Sequence, residues 1–199
     1  MFFENWIACY LNIMGLLDYN RIILCVGDVN MIYRLATESD ISSLSEMRWE
    51  HEYEEEGEFD ISKEDFIKEC NLFIVNGIRS GTWYYWIAEE NNIIISNIYI
   101  NIIRKVPKPQ KLFTEIGYIT NVHTKIEFRN KGIGAELLKK IKQWAIDNKI
   151  ELLFVWPSPK SVTFYERQGF SMNNEIMELE IWLIYYFEIL SIKKYILYH

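Results

Sequence analysis

Arg129-Asn130-Lys131-Gly132-Ile133-Gly134-Ala135 is the stretch on which the reading of this chain turns, because of what flanks it. Upstream, Ile116-Gly117-Tyr118-Ile119-Thr120-Asn121-Val122 has the composition of a buried strand. Downstream, Ile133, Leu137, Leu138, Ile141, Trp144 and Ala145 recur at helical spacing, with Lys139, Lys140 and Lys142 on the opposite face. The glycines therefore stand where a strand turns into a helix. The first N–H groups of such a helix have no intrahelical partners, and the aligned peptide dipoles present partial positive charge. Glycine lets a phosphate approach the backbone without meeting a Cβ. Arg129 and Lys131 add formal positive charge. The stretch has the makings of an anion cradle.

Arg-x-x-Gly-x-Gly is short, and a glycine turn with a solvated Arg and Lys also satisfies it. Two other phosphate-binding patterns fail here. A Walker loop needs Gly-Lys-Ser/Thr after four spacers, and the chain has no such run. A dinucleotide fingerprint needs a third glycine where Leu137 stands. A second block narrows the choice. Glu151-Leu152-Leu153-Phe154-Val155-Trp156 is a short apolar strand, followed by Pro157-Ser158-Pro159 and then Ser161-Val162-Thr163-Phe164-Tyr165-Glu166-Arg167-Gln168-Gly169-Phe170. Pro159 suits a first helical turn, and Gly169 a position of positive φ just past a helix end.

The order strand, Arg-x-x-Gly-x-Gly, helix, strand, Pro-Ser, short helix ending Phe-Tyr-x-x-x-Gly-Phe resembles the GNAT superfamily of acyl-CoA-dependent N-acetyltransferases. The resemblance runs from Met31 to about Leu179, opening with Ile32-Tyr33-Arg34-Leu35-Ala36-Thr37-Glu38-Ser39-Asp40 as first strand and helix start. The two blocks together, with 31 residues from Gly134 to Tyr165, are far more specific than either alone. The fold implied is a single α/β domain: a central mixed, mostly antiparallel sheet, helices on both faces, and a splay between strands four and five.

Composition agrees with one domain. At 199 residues, half of them hydrophobic and 16% aromatic, the chain has enough apolar surface for a packed core and is not of the disordered class. Cys9, Cys25 and Cys70 form neither a metal spacing nor an even disulfide framework, so a reducing cytoplasm is the expected compartment. His51, His123 and His199 are dispersed, and no metal is expected. Nor is a nucleic-acid partner, since no basic stripe offsets the net charge of −7. The domain is expected over 31–181, between an N-terminal extension at 1–30 and an apolar tail at 182–199. The extension lacks a basic n-region and a small-residue cleavage site, and its uncharged run from Asn5 to Leu17 falls short of the ~20 residues that span a bilayer. It is expected to be dispensable, and no membrane partner is expected. The tail, with Trp182-Leu183-Ile184-Tyr185-Tyr186-Phe187, suits covering a sheet edge, forming a homodimer, or neither.

Between the ends, a first strand is expected at 31–36 and a helix from Asp40 to Glu55. A second helix starts at Ser62, with Asp65 completing an imperfect capping box, and Gly77 is placed to end it. Strands at 83–88 and 93–100 flank Asn91-Asn92, a tight-turn pair. The fourth strand runs from about Phe113 to Thr124.

The activity the resemblance implies is transfer of an acetyl group from acetyl-CoA to an amine, by direct attack in a ternary complex. It implies that the backbone from Lys131 through Gly132, Ile133 and Gly134 to Ala135, with Arg129 and Asn130, binds the diphosphate of CoA. It implies that Val122, His123 and Thr124 pair with the pantetheine arm like an added strand. The Val122 N–H then polarises the thioester carbonyl, a kind of contact whose loss costs ~3 kcal/mol of barrier elsewhere. Tyr165 occupies the family's general-acid position, although a tyrosine at that spacing also serves an ordinary amphipathic helix. Ser158 stands where a small polar residue contacts pantetheine, or caps a turn. Glu115, on the fourth strand, is the candidate base. His123 titrates in a suitable range but falls among the cofactor contacts.

The acceptor is less legible. Between Glu46 and Glu69 there are eleven acidic and three basic side chains. Glu52, Glu54, Glu55, Glu56 and Glu58 would attract a cationic acceptor such as an amino sugar, polyamine or basic peptide, or would form a solvated face. Two other readings stay open: an acyl-CoA-binding sensor or interaction protein without turnover, and transfer from another acyl donor, since the pantetheine slot does not itself fix acyl length.

Overall fold

The computed structural model describes residues 22–25 and 30–172. The expected tail at 182–199 and most of the 1–30 extension lie outside the described residues. Among the described residues, six strands form one sheet in the order of the chain: β1 (Ile22–Cys25), β2 (Asn30–Leu35), β3 (Trp83–Glu90), β4 (Ile93–Arg104), β5 (Glu115–Thr124) and β6 (Leu152–Val155). Each neighbouring pair is antiparallel except β5 and β6, which run parallel. β1 precedes the strand expected to be first, so the expected fourth and fifth strands are β5 and β6.

Helices cover both faces. α1 (Ile41–Glu56) and α2 (Lys63–Ser80) lie on one side; α3 (Ile133–Asp147) and α4 (Val162–Arg167) lie on the other. A sheet covered on both faces has no reason to alternate apolar and polar residues, and β3 and β4 accordingly carry continuous buried runs. Leu44, Met47, Ile74, Tyr85, Ile87 and Tyr99 form the core under α1 and α2. Trp86, Ile98, Ile100 and Ile119 pack beneath Ile133, Leu137, Leu138, Ile141, Trp144 and Ala145 of α3, the whole stripe read from its spacing.

Local chemistry explains the ends. The Ser62 hydroxyl accepts from the Asp65 N–H at 3.1 Å and so caps α2. Asn91 and Asn92 both take positive φ, 51° and 64°, which a two-residue hairpin matched to strand twist requires. Gly77 does not end α2. The helix runs on to Gly81, at φ 67°, because Gly77 serves packing instead: a Cβ there would lie 2.3 Å from the Tyr85 hydroxyl and 2.8 Å from Trp83 Cβ. α4 begins at Val162, after a turn in which the Ser161 N–H donates to the Ser158 carbonyl, so Pro159 precedes the helix.

Candidate active site at the parting of two strands

Pairing between β5 and β6 ends at Ile119 opposite Val155. β5 continues to Thr124 with, among the described residues, no strand beside it on that edge. Its register against β4 also shifts there: Asn97 pairs with His123 but Tyr99 with Thr120, so Asn121 and Val122 share one opposing residue. This is a β-bulge, and it holds Asn121 at φ 45°. The buried Asn97 pins it by donating Nδ2 to the Asn121 carbonyl at 2.7 Å. The freed end of β5 forms one wall of a groove of about 850 Å³, completed by α1, the start of α3 and α4.

β5 presents different side chains to the two faces. Val122 packs with the core beneath α3, and Thr124 lies toward Gly134. Asn121 and His123 face α1, where Asn121 Oδ1 accepts from Arg48 at 2.9 Å and the His123 ring lies 4.6 Å from that of His51. Burial, then the proximity of His51 and Arg129, pushes the His123 imidazole down to about 4, so it is neutral at neutral pH.

At the start of α3, Gly132 is the N-cap at φ 78°, and a Cβ there would meet nothing within 4 Å. No side chain caps this end, in contrast with Ser62 at α2. The N–H groups of Ile133, Gly134 and Ala135 therefore stand at a helix start with open space before it, which fits an anion. α4 faces it across the groove. Tyr165 is buried among Phe164 and Phe170, and burial followed by Tyr118 pushes its phenol up to about 12. It holds its proton at neutral pH and can donate it.

Of the residues expected at the site, Val122, His123, Thr124, Arg129, Asn130, Gly132, Ile133, Gly134, Ala135, Ser158 and Tyr165 line the groove. Lys131 does not; its Nζ lies over the Phe128 ring at 4.9 Å. Glu115 does not either. It begins β5 opposite Arg104, and at ~3.3 Å per residue the strand carries it roughly 20 Å from Val122. Arg129 reaches the groove but points away from the cradle. Its Nε donates to the Thr124 carbonyl at 2.8 Å, and both terminal nitrogens grip Glu54 of α1 at 2.5 and 2.6 Å. A planar fork matched to a carboxylate outweighs a looser position at the helix end. Glu54 is thus not an unpaired acid, and Glu52 bridges Arg48 at 2.6 Å. Ser158 donates its hydroxyl to Ser161 at 3.2 Å and shapes the turn before α4.

Arg48, His51, Asn121, Lys160 and Arg167 also line the groove and were not singled out by sequence. The only sign of His51 was a lone histidine in an acidic helix.

A profile of the acetyltransferase (GNAT) family matches residues 39–170. The chain belongs to the GNAT acetyltransferase family. A predicted acetyltransferase from Clostridium acetobutylicum, solved with acetyl-CoA, is 31% identical, with a TM-score of 0.65 over 76% of this chain and 96% of that one. A GCN5-related N-acetyltransferase from Ralstonia eutropha JMP134 shares 20% identity at a TM-score of 0.61, covering 76% and 99% of the two chains. Glucosamine-6-phosphate N-acetyltransferase from Arabidopsis thaliana shares 18% at 0.57, covering 75% and 97%. The last two speak to the fold alone. No curated protein matches the chain. Among the described residues, no helix of this GNAT protein is long and apolar enough to cross a membrane.

Proposed function

We propose that this chain transfers an acetyl group from acetyl-CoA to a primary amine by direct attack while both are bound. The observation that carries the reading is the freed edge of β5, which runs between the uncapped start of α3 and the protonated phenol of Tyr165. In this reading the N–H groups of Ile133, Gly134 and Ala135 hold the diphosphate, with Gly132 leaving room for it. The edge from Val122 to Thr124 takes the amides of the pantetheine arm. The bound thioester supplies an activated acetyl group. The Val122 N–H holds its carbonyl oxygen as negative charge develops there, and Tyr165 gives its proton to the departing sulfur.

The acceptor approaches from the α1 side, where Asn121, His123 and His51 meet. Glu55 lines that mouth, while Glu52 and Glu54 are engaged by Arg48 and Arg129. A cationic amine suits this edge, though with fewer uncommitted carboxylates than the acidic run suggested.

The test is the initial rate of thiol release from acetyl-CoA with glucosamine, spermidine and a lysyl peptide, varying both substrates. Release that depends on the amine, with intersecting double-reciprocal lines, supports the reading. Acetyl-CoA binding without release would make the protein an acyl-CoA sensor. Parallel lines would replace direct attack by a covalent relay.

A further inference from the structure

We propose that His51 is the base that accepts the proton from the attacking amine, with Asn121 and Arg48 fixing which of its ring nitrogens faces the groove. The proposal rests on the acetyl-transfer reading and assigns the one role that reading leaves empty, since Glu115 is placed far from the groove.

The argument begins with the bulge. The extra residue in β5 turns the Asn121 side chain toward α1, while Val122 stays with the core beneath α3. Asn121 Oδ1 lies 2.9 Å from Arg48 Nη1 and 3.1 Å from His51 Nδ1. Arginine has only donors, so the carboxamide must present its oxygen to Arg48; the flipped amide would set donor against donor. The same oxygen then meets His51 Nδ1. A deprotonated Nδ1 would place lone pair against lone pair at 3.1 Å, so Nδ1 carries the hydrogen. Arg48 Nη1 also lies 3.5 Å from Nδ1, too far to compete with its bond to the carboxamide. Nε2 is left as the basic nitrogen. This is the tautomer-setting arrangement that a catalytic imidazole needs.

The place is right as well. His51 lines the groove, and its partner Asn121 is the residue next to Val122, whose N–H is the proposed oxyanion donor. The charged and titratable groups around the ring come from two sides. Arg48, Glu52, Glu54 and Glu55 share its helix; His123, Lys125 and Arg129 come from β5 and the turn beyond. Arg48 is bound to Glu52, Arg129 to Glu54 and Lys125 to Glu50, so most of these charges are mutually matched. His123, whose ring lies 4.6 Å away and tilted by 31°, is neutral and adds no positive charge at neutral pH.

The step balances. The amine lone pair forms the C–N bond at the acetyl carbon, and the nitrogen's proton passes to His51 Nε2. The C–S bond breaks, sulfur keeps the electron pair and takes the proton of Tyr165. The imidazolium and phenolate are reset through solvent in the open groove.

Two measurements test this. In the free protein, two-bond proton–nitrogen correlation NMR should show His51 with hydrogen on Nδ1, and Asn121→Ala should lose that preference; an Nε2–H form in the wild type overturns the proposal. With glucosamine, spermidine and a lysyl peptide as acceptor probes, His51→Gln should lower kcat/KM for the amine roughly 10²–10⁴-fold and reduce the acidic limb of its pH profile to the protonation of the amine itself. Its affinity for acetyl-CoA should stay within about twofold, which also shows that the variant is folded. Retained rate and pH profile in His51→Gln, beside an active wild type, would overturn the role of His51 alone. A wild type that binds acetyl-CoA but acetylates none of the probes would overturn the transfer reading, and this proposal with it.

Discussion

Replacing Gly134 by Glu separates the fold from the ligand. Gly134 is the second residue of α3, and a Cβ built there meets Thr124 Oγ1 at 3.7 Å and Phe164 ring carbons at 3.8 and 3.9 Å, all ordinary contacts. The new side chain would thus stand between the free end of β5 and α4, over the groove. The folded protein should welcome it. Glycine costs a helix interior about 0.8–1 kcal/mol relative to Ala and somewhat less relative to Glu, and an acid in the first turn adds ~0.3–1 kcal/mol through the dipole. Partial realisation of these terms gives about 1 kcal/mol, or a Tm higher by roughly 2–4 °C for a chain of this size. A diphosphate held by the N–H groups of Ile133, Gly134 and Ala135 would meet the new carboxylate at about 4 Å. Such a pair of like charges repels by ~1 kcal/mol in water and ~4 kcal/mol near a protein surface. Between these limits, 2–3 kcal/mol corresponds to a Kd for acetyl-CoA raised roughly 30- to 150-fold. Calorimetric titration reads the affinity and a thermal melt the fold. The loss should shrink as salt is added. An unchanged Kd would mean that the diphosphate does not sit at the start of α3. A fall in Tm together with affinity would mean that Gly134 matters to the fold instead.

Tyr165→Phe should lower kcat roughly 10²–10⁴-fold while leaving acetyl-CoA affinity nearly intact, and an unchanged kcat would remove it from the mechanism. Gly77→Ala should destabilise the protein by about 1–3 kcal/mol in chemical denaturation despite the gain in helix propensity, because its Cβ would lie 2.3 Å from the Tyr85 hydroxyl; a neutral or stabilising result would show that β3 yields easily. Arg34 grips Asp40 at 2.7 and 2.9 Å and Glu89 at 3.0 Å, so Arg34→Leu, which strands two largely buried acids, should cost about 3–5 kcal/mol. Burial alone would push the Asp40 carboxyl up, but bonds from Arg34 and Thr37 outweigh it and hold it below the usual carboxylate range. A depressed carboxyl stabilises above its unfolded pKa of about 3.9 and loses that contribution as pH falls through its folded value. Unfolding free energy followed against pH should therefore drop below about pH 4 in the wild type, and less steeply in Asp40→Asn; parallel curves would refute the linkage.

What was legible in the sequence was chemistry held within a few residues. Ser62 and Asp65, Asn91 and Asn92, and the stripe from Ile133 to Ala145 state their structures locally, since caps, positive φ and helical spacing need no distant partner. Gly77 misled because its reason is a tyrosine on a neighbouring strand rather than its own backbone. The bulge at Asn121 has no local signature: it is imposed by register with β4 and by the buried Asn97. Arg129 looked like part of the cradle because its partner Glu54 is 75 residues away. Glu115 shared a strand with Val122, and only the length of that strand parts it from the groove. His51 required both α1 and the bulge before its neighbours could be known.

The most direct measurement is the fate of a labelled acetyl group. The protein is incubated with acetyl-CoA carrying a carbon-13 acetyl and with glucosamine, spermidine or a lysyl peptide, and the products are read by mass spectrometry. The account predicts label on an amine nitrogen of at least one acceptor and no labelled protein. Label retained on the protein, or released only as acetate, would contradict it.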